Sequence, residues 1–305
     1  VTGRLRSGVL AVEKGPGVTS FQVVAQLRRL LRAPRVGHGG TLDPDATGVL
    51  PVLVGEATKL TPYLIELDKE YVATVQLGVV TSTQDASGTV LATRPVPPLG
   101  DTDIAAVLAR FTGQIHQVPP MYSALHRGGR RLYEIAREGG EVERAPRLVR
   151  VHRLELLARE DTRLTLGVTC GKGTYVRTLA ADIGEALGPG ASLAGLVRTR
   201  VGPFRLEACL PWPELVALRS GEALWARLLP PDAALVDLPP VRLGGEAARA
   251  FRHGRAVAGA GGPAALVRVY GPAGELIGLG RPRGDRLQPE RLLHADDPGT
   301  PVLPA

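Results

Sequence analysis

One stretch limits the architectures open to this chain more than any other. From Gly37 to Gly48 it reads Gly-His-Gly-Gly-Thr-Leu-Asp-Pro-Asp-Ala-Thr-Gly, too rich in glycine for a helix or strand to run through. The apolar run Val49 to Val54 follows at once and reads as a buried strand. The fold must therefore bring a long glycine-framed loop to the end of a core strand. Two readings of Asp43, at the centre of that loop, are open. It caps a short helix beginning at Pro44, with the glycines serving only as turns, or the glycines hold an exposed carboxylate close to a ligand. A phosphate cradle fits poorly, since no Gly-Lys-Ser/Thr follows.

Around the loop, short strands and helices alternate without a regular βαβ rhythm. Val9 to Val12 reads as a strand. Thr19 or Ser20 then caps a helix whose apolar stripe is Phe21, Val24, Leu27, Leu30 and Leu31. Glu56 to Leu67 reads as a helix, Tyr71 to Leu77 as an alternating strand, and Asp85 to Gly88 as a turn before a strand at Thr89 to Ala92. An extended linker at Arg94 to Pro98 precedes a helix at Asp101 to Phe111. Strands at Leu148 to Leu156 and Arg163 to Thr169 and a helix at Thr174 to Leu187 follow. Beyond the proline pairs at 230–231 and 239–240, Gly271-Pro272-Ala273-Gly274 marks a hairpin in a small β-rich unit. The pattern predicts a mixed α/β (α+β) fold, its sheet mixed and not doubly wound.

At 305 residues the chain has room for about two domains. No window approaches about 18 consecutive apolar residues, which excludes a helical membrane span, and no apolar segment follows the N-terminal charges as a signal peptide needs. Cys170 and Cys209 are too few for a disulfide framework or a cysteine zinc site, so a cytoplasmic protein without a structural metal is expected. Thirty-seven basic against thirty acidic residues leave a charge of +7, almost all of the excess arginine. Arginine grips phosphate with a planar two-pronged donor set, so the balance fits a nucleic-acid partner.

Several segments, in order, resemble the TruB family of tRNA pseudouridine synthases. They are Val9 to Lys14 with Gly17-Val18-Thr19-Ser20; the Gly37 to Gly48 loop continued by Val49-Leu50-Pro51; Lys69-Glu70-Tyr71; Pro119 to Leu125; Arg131 to Arg137; Gly171 to Arg177; and Leu196 to Thr199. The likeness covers about Gly8 to Glu207. Departures are small: Gly15 stands where the family has Pro, Ser82 where it has Asp, His126 where it has Lys, and Val197 where Arg is common.

The resemblance implies a pseudouridine synthase fold: a central mixed, largely antiparallel sheet flanked by helices over 8–232, with an RNA-gripping insertion at about 120–150. A PUA-like RNA-binding domain would occupy 238–293, and 294–305 a flexible tail. It also implies isomerisation of uridine 55 in the TΨC loop of tRNA, after base flipping, by a monomer needing no protein partner. The base is detached at N1 and rejoined through C5. No redox change, phosphate transfer or hydrolysis occurs, so no cofactor or metal is called for.

By the same resemblance Asp43 is the catalytic carboxylate, an acid ionised at neutral pH unless its surroundings oppose it. Attack at C1′, attack at C6 and removal of a ribose proton are all open to it. Arg177 pairs with that carboxylate, Tyr71 stacks on the target base near C5, and Leu196 packs beside it. His38 fills the space left by the extruded base. Lys14, Tyr175, Arg130, Arg131 and Arg198 complete the expected substrate contacts. The stretch from Arg127 to Arg153 carries eight arginines and four glutamates with glycine pairs, which suits a segment that orders on phosphates. A guide-RNA-dependent relative, an RNA binder without turnover, and a hydrolase pairing Asp43 with Asp45 are the competing readings.

Overall fold

The computed structural model describes residues 7–123, 126–127, 130–258 and 265–294. Contacts divide the chain into two compact units that are not consecutive in sequence. One is Val1–Pro44, Val49–Ile65 and Gly202–Ala305; the other is Asp45–Gly48 and Glu66–Val201.

In the first unit the strand Gly8–Lys14 lies between Thr47–Val54 and the short parallel strand Leu210–Pro211. Val36–His38 runs antiparallel along the far end of Thr47–Val54, with His38 opposite Val52. The helix Ser20–Leu31 starts at Thr19, whose side chain and that of Gln22 close a capping box, an arrangement worth about 1 kcal/mol. It buries Val23, Val24, Leu27 and Leu31 against Leu10, Val12, Leu50, Val52 and Val54. Phe21, expected in that stripe, is instead 71% exposed. The buried arc is set by Ser20, Val23, Val24, Leu27 and Leu31, and at 100° per residue Phe21 falls outside it.

The single helix expected over Glu56 to Leu67 is two, a 3-10 turn at Gly55–Leu60 and an α-helix at Thr61–Glu66. Pro62 has no N–H with which to continue the first into the second. Toward the C-terminus, Pro240–Arg242, Val267–Tyr270, Leu276–Arg283, Arg286–Leu292 and Val257–Ala258 form a sheet in that order. The expected hairpin is there, Val267–Tyr270 pairing antiparallel with Leu276–Arg283. A helix at Gly245–Arg252, absent from the sequence reading, closes the core of this part with Ala248 and Phe251. Of the tail expected at 294–305 only His294 is among the described residues, and its N–H donates to Glu56 at 2.9 Å. Glu56 is buried, and Lys59 and Arg35 also bond its carboxylate. These partners hold its pKa below the usual carboxylate value against the opposing effect of burial.

The second unit is built on a mixed, largely antiparallel sheet. Ala191–Val201 pairs in parallel with the first two residues of Thr47–Val54 and antiparallel with Lys69–Leu77. Arg163–Cys170, Arg147–Glu160 and Gly113–Gln117 extend it, all antiparallel. One face, carrying Ala73, Val75, Leu164, Leu166 and Val168, is covered by Ile104 and Leu108 of the helix Asp101–Arg110 and by Leu179, Ala180 and Ile183 of the helix Val176–Leu187. The strand Ala191–Val201 was not expected, because Gly195 interrupts its alternation; the register shifts at that point. Within the expected insertion, His126–Arg127 pairs with Arg130–Arg131 and the helix Leu132–Arg137 follows.

Candidate functional site

The central loop is held by its neighbours on both sides of Asp43. Ser20, the first residue of its helix and 2% exposed, accepts the Leu42 N–H at 2.9 Å and donates to the Leu42 carbonyl at 3.1 Å. Leu42 is itself buried. On the other side Lys14, fully buried at the end of its strand, donates to the carbonyls of Gly15 at 2.9 Å, Val18 at 2.6 Å and Pro44 at 2.8 Å. Three acceptors match the three protons of an ammonium, so its burial is compensated. With residues 42 and 44 tied down, Asp43 is left half-buried between them.

The glycines that frame the loop are there for space and backbone freedom. A Cβ on Gly39 would stand 2.9 Å from Leu64, and one on Gly48, whose φ is +104°, would stand 2.2 Å from the Arg198 carbonyl. His38 ends its strand half-buried, and its Nδ1 accepts the Gly40 N–H at 3.3 Å.

The second unit gathers the other candidates on one sheet face and one helix. Tyr71 lies opposite Arg198, and Ala73 opposite Leu196, so these side chains share the face that carries the core. Tyr71 and Leu196 pack against that core while staying partly exposed. Arg177, the second residue of the helix Val176–Leu187, is 5% exposed and donates to the carbonyls of Thr83 at 3.1 Å and Tyr122 at 2.8 Å. Its Nη1 also lies 3.3 Å from Asp85. Thr83 and Ser87 bond the other oxygen of Asp85 at 2.6 Å each. Tyr175 caps this helix, its N–H donating to Gln117 at 2.8 Å.

Lys69, at the start of the Tyr71 strand, is 7% exposed and donates to the Leu67 carbonyl at 2.5 Å. Burial first, and the Arg198 cation second, push it down to about 8. Burial also raises the Cys170 thiol to about 11. Lys14, Ser20, Lys69 and Asp85 are the residues whose bonding role the sequence reading did not give. Only burial and partners reveal them, although Asp85 does sit in a recognisable turn.

Lys14 and Arg198, both expected as substrate contacts, are buried, the latter 2% exposed. Arg130 is exposed and pairs with Glu138 at 2.5 Å. The backbone of Arg131 belongs to the short hairpin, but its side chain lies outside what is described.

Comparison with known proteins now decides the family. The models described as TruB family pseudouridylate synthase (N terminal domain), tRNA pseudouridylate synthase B C-terminal domain, and Pseudouridine synthase II TruB, C-terminal match residues 28–176, 177–236 and 239–293. The tRNA pseudouridine synthase B of Aromatoleum aromaticum is 48% identical over 291 residues, 95% of this chain and 94% of that protein. That of Pseudomonas putida GB-1 is 47% identical over 295 residues, 95% of this chain and 96% of that protein. The chain belongs to the TruB family. Among solved structures, a Cbf5-Nop10-Gar1 complex matches with a TM-score of 0.75 at 30% identity, covering 96% of this chain and 87% of that one. An archaeal box H/ACA sRNP Nop10-Cbf5 complex matches at 0.72 and 28%, covering 98% and 90%. The mixed sheet read from the sequence is thus the TruB scaffold, and the Asp43 loop is part of a pseudouridine synthase.

Proposed function

We propose that this chain converts uridine 55 in the TΨC loop of tRNA to pseudouridine, with Asp43 as the catalytic carboxylate. Family membership supports an isomerase acting on tRNA uridine. The observation that carries the finer reading is the double anchoring of the Asp43 loop, through Ser20 to Leu42 and through Lys14 to Pro44. A carboxylate with both neighbours fixed keeps one orientation through a reaction that must first break and then remake a bond at C1′. N1 gains a proton as C5 loses one, so the atoms balance without another reactant.

In this reading Tyr71 and Leu196 form the apolar bed for the extruded base. Arg177, fixed by two carbonyls and Asp85, is by the family resemblance the cation that pairs with the carboxylate. His38 occupies the gap left in the RNA, and Tyr175 and the arginines of 127–153 touch the substrate. The module at 238–293 adds RNA affinity as a PUA-like domain. The protein works as a monomer in the cytoplasm.

The test uses tRNA tritiated at uridine C5 and the purified chain alone. Wild type releases about one label per tRNA, while Asp43→Asn releases none and still binds. Release by Asp43→Asn removes the proposed carboxylate from the mechanism. No release by wild type overturns the reading in favour of a binder or a guided enzyme.

A further inference from the structure

The geometry points to a second station for the RNA, a cavity of about 410 Å³ at the end of the Ser20–Leu31 helix that takes a backbone phosphate of the substrate tRNA. The inference rests on the proposed tRNA activity and extends the footprint beyond the Asp43 loop. Arg29, Arg32, Arg219 and Trp225 line the cavity, with Glu222 as its one carboxylate. Three arginines line it, and among the described residues none of the three lies in an ion pair. Arg29 donates to Gln26 at 2.9 Å.

Cations in the last turn of a helix suit its dipole, which accounts for Arg29 and Arg32 without any ligand. It does not account for Arg219, which comes from a different segment. That segment is locked against the helix end, because a Cβ on Gly221 would stand 2.2 Å from the Leu30 carbonyl. Arg32 also holds a left-handed backbone, with φ 49°, at the helix C-cap, a place where glycine is the usual residue. An arginine kept there at a backbone cost fits a site that uses its charge.

The ligand is set by this chemistry. Forked donors match phosphate oxygens, and the half-buried Trp225 ring offers a flat wall to a ribose or base. Glu222 reduces the positive excess, so an isolated nucleotide gains little, whereas a polyanion held elsewhere adds this contact through counterion release. The helix ties the cavity to the reactive loop. Its first residue, Ser20, holds Leu42, and its last turn lines the cavity, on the order of 17 Å away along the axis.

The experiment measures tRNA affinity against salt for wild type, Arg32→Ala, Arg219→Ala and Glu222→Gln. Each arginine variant is expected to bind roughly three- to fivefold more weakly. Each should also shallow the logarithmic salt slope by about 0.7–0.9 while leaving label release at saturating tRNA unchanged. Glu222→Gln is expected to bind more tightly, an outcome that misfolding does not produce. Unchanged affinity and slope in all three variants overturn the inference. Uridine monophosphate displacing no tRNA at equal phosphate concentration supports the polyanion, and displacement overturns it in favour of a free-nucleotide site. Label release by wild type is scored separately: its absence sinks the proposed activity, while the salt slopes still decide whether RNA sits in this cavity.

Discussion

The Asp43 loop and the arginine-rich stretch after Met121 both carry charge toward the RNA in the proposed reading, yet they are built in opposite ways. The loop is tied through buried side chains whose bonds go to backbone atoms, Ser20 to Leu42 and Lys14 to Pro44. Arg130 and Arg144 are matched instead with glutamates of their own stretch, Glu138 and Glu141. Buried hydrogen bonds fix a geometry and cost dearly when one partner is lost. Exposed ion pairs are worth little and exchange readily for phosphate. Reaction chemistry needs the first arrangement, and adaptable grip is served by the second.

The sharpest way to break this contrast is Lys14→Met. Removing the ammonium takes the donor from three backbone carbonyls and leaves a gap in a buried site, for an expected loss of ~3 kcal/mol in stability. Displacing Asp43 should also lower single-turnover rate by about 100-fold. Thermal unfolding and label release measure the two; a variant with wild-type rate would show that the loop needs no anchor.

Next in size is the pH response of another buried cation, Lys69. Its pKa is depressed to about 8 when folded against 10.5 ordinarily. Below 8 both states are charged and above 10.5 both are neutral. Between those values the unfolded chain holds more protons, so stability rises with pH. Wild type should gain ~2 kcal/mol relative to Lys69→Met between pH 7 and 9.5 in denaturant unfolding. Parallel curves for the two proteins would mean that Lys69 is solvated like a surface lysine.

Ser20→Ala removes one hydroxyl that serves both polar atoms of Leu42. About 1–2 kcal/mol of stability and roughly a tenfold drop in rate are expected, with tRNA affinity unchanged. A change in affinity alone would place Ser20 among the gripping residues. The smallest effect belongs to Arg130→Ala. Tm and saturated rate should match wild type, while the salt slope for tRNA binding becomes shallower by about 0.7. An unchanged slope would make that arginine merely solvated surface.

Much of this was legible in the chain itself. The strand at Tyr71 to Leu77, the helix before Leu187 and the hairpin around Gly271 follow from local period and turn chemistry, which neighbours in sequence supply. The strand Ala191–Val201 was hidden because a bulge at Gly195 breaks the alternation. Phe21 was misplaced because one position on a helix turns a side chain through 100°.

The order of motifs, the glycine-framed loop and the presence of Asp43 within it were therefore determined by sequence alone. Which charges are buried, and by whom they are held, was decided only by the tertiary structure. Lys14 meets Pro44 across thirty positions and Arg177 meets Asp85 across more than ninety. A lysine that grips RNA and a lysine that pins a loop are the same letter. Desolvation and hydrogen-bond partners come from packing between distant segments, and no local pattern records them.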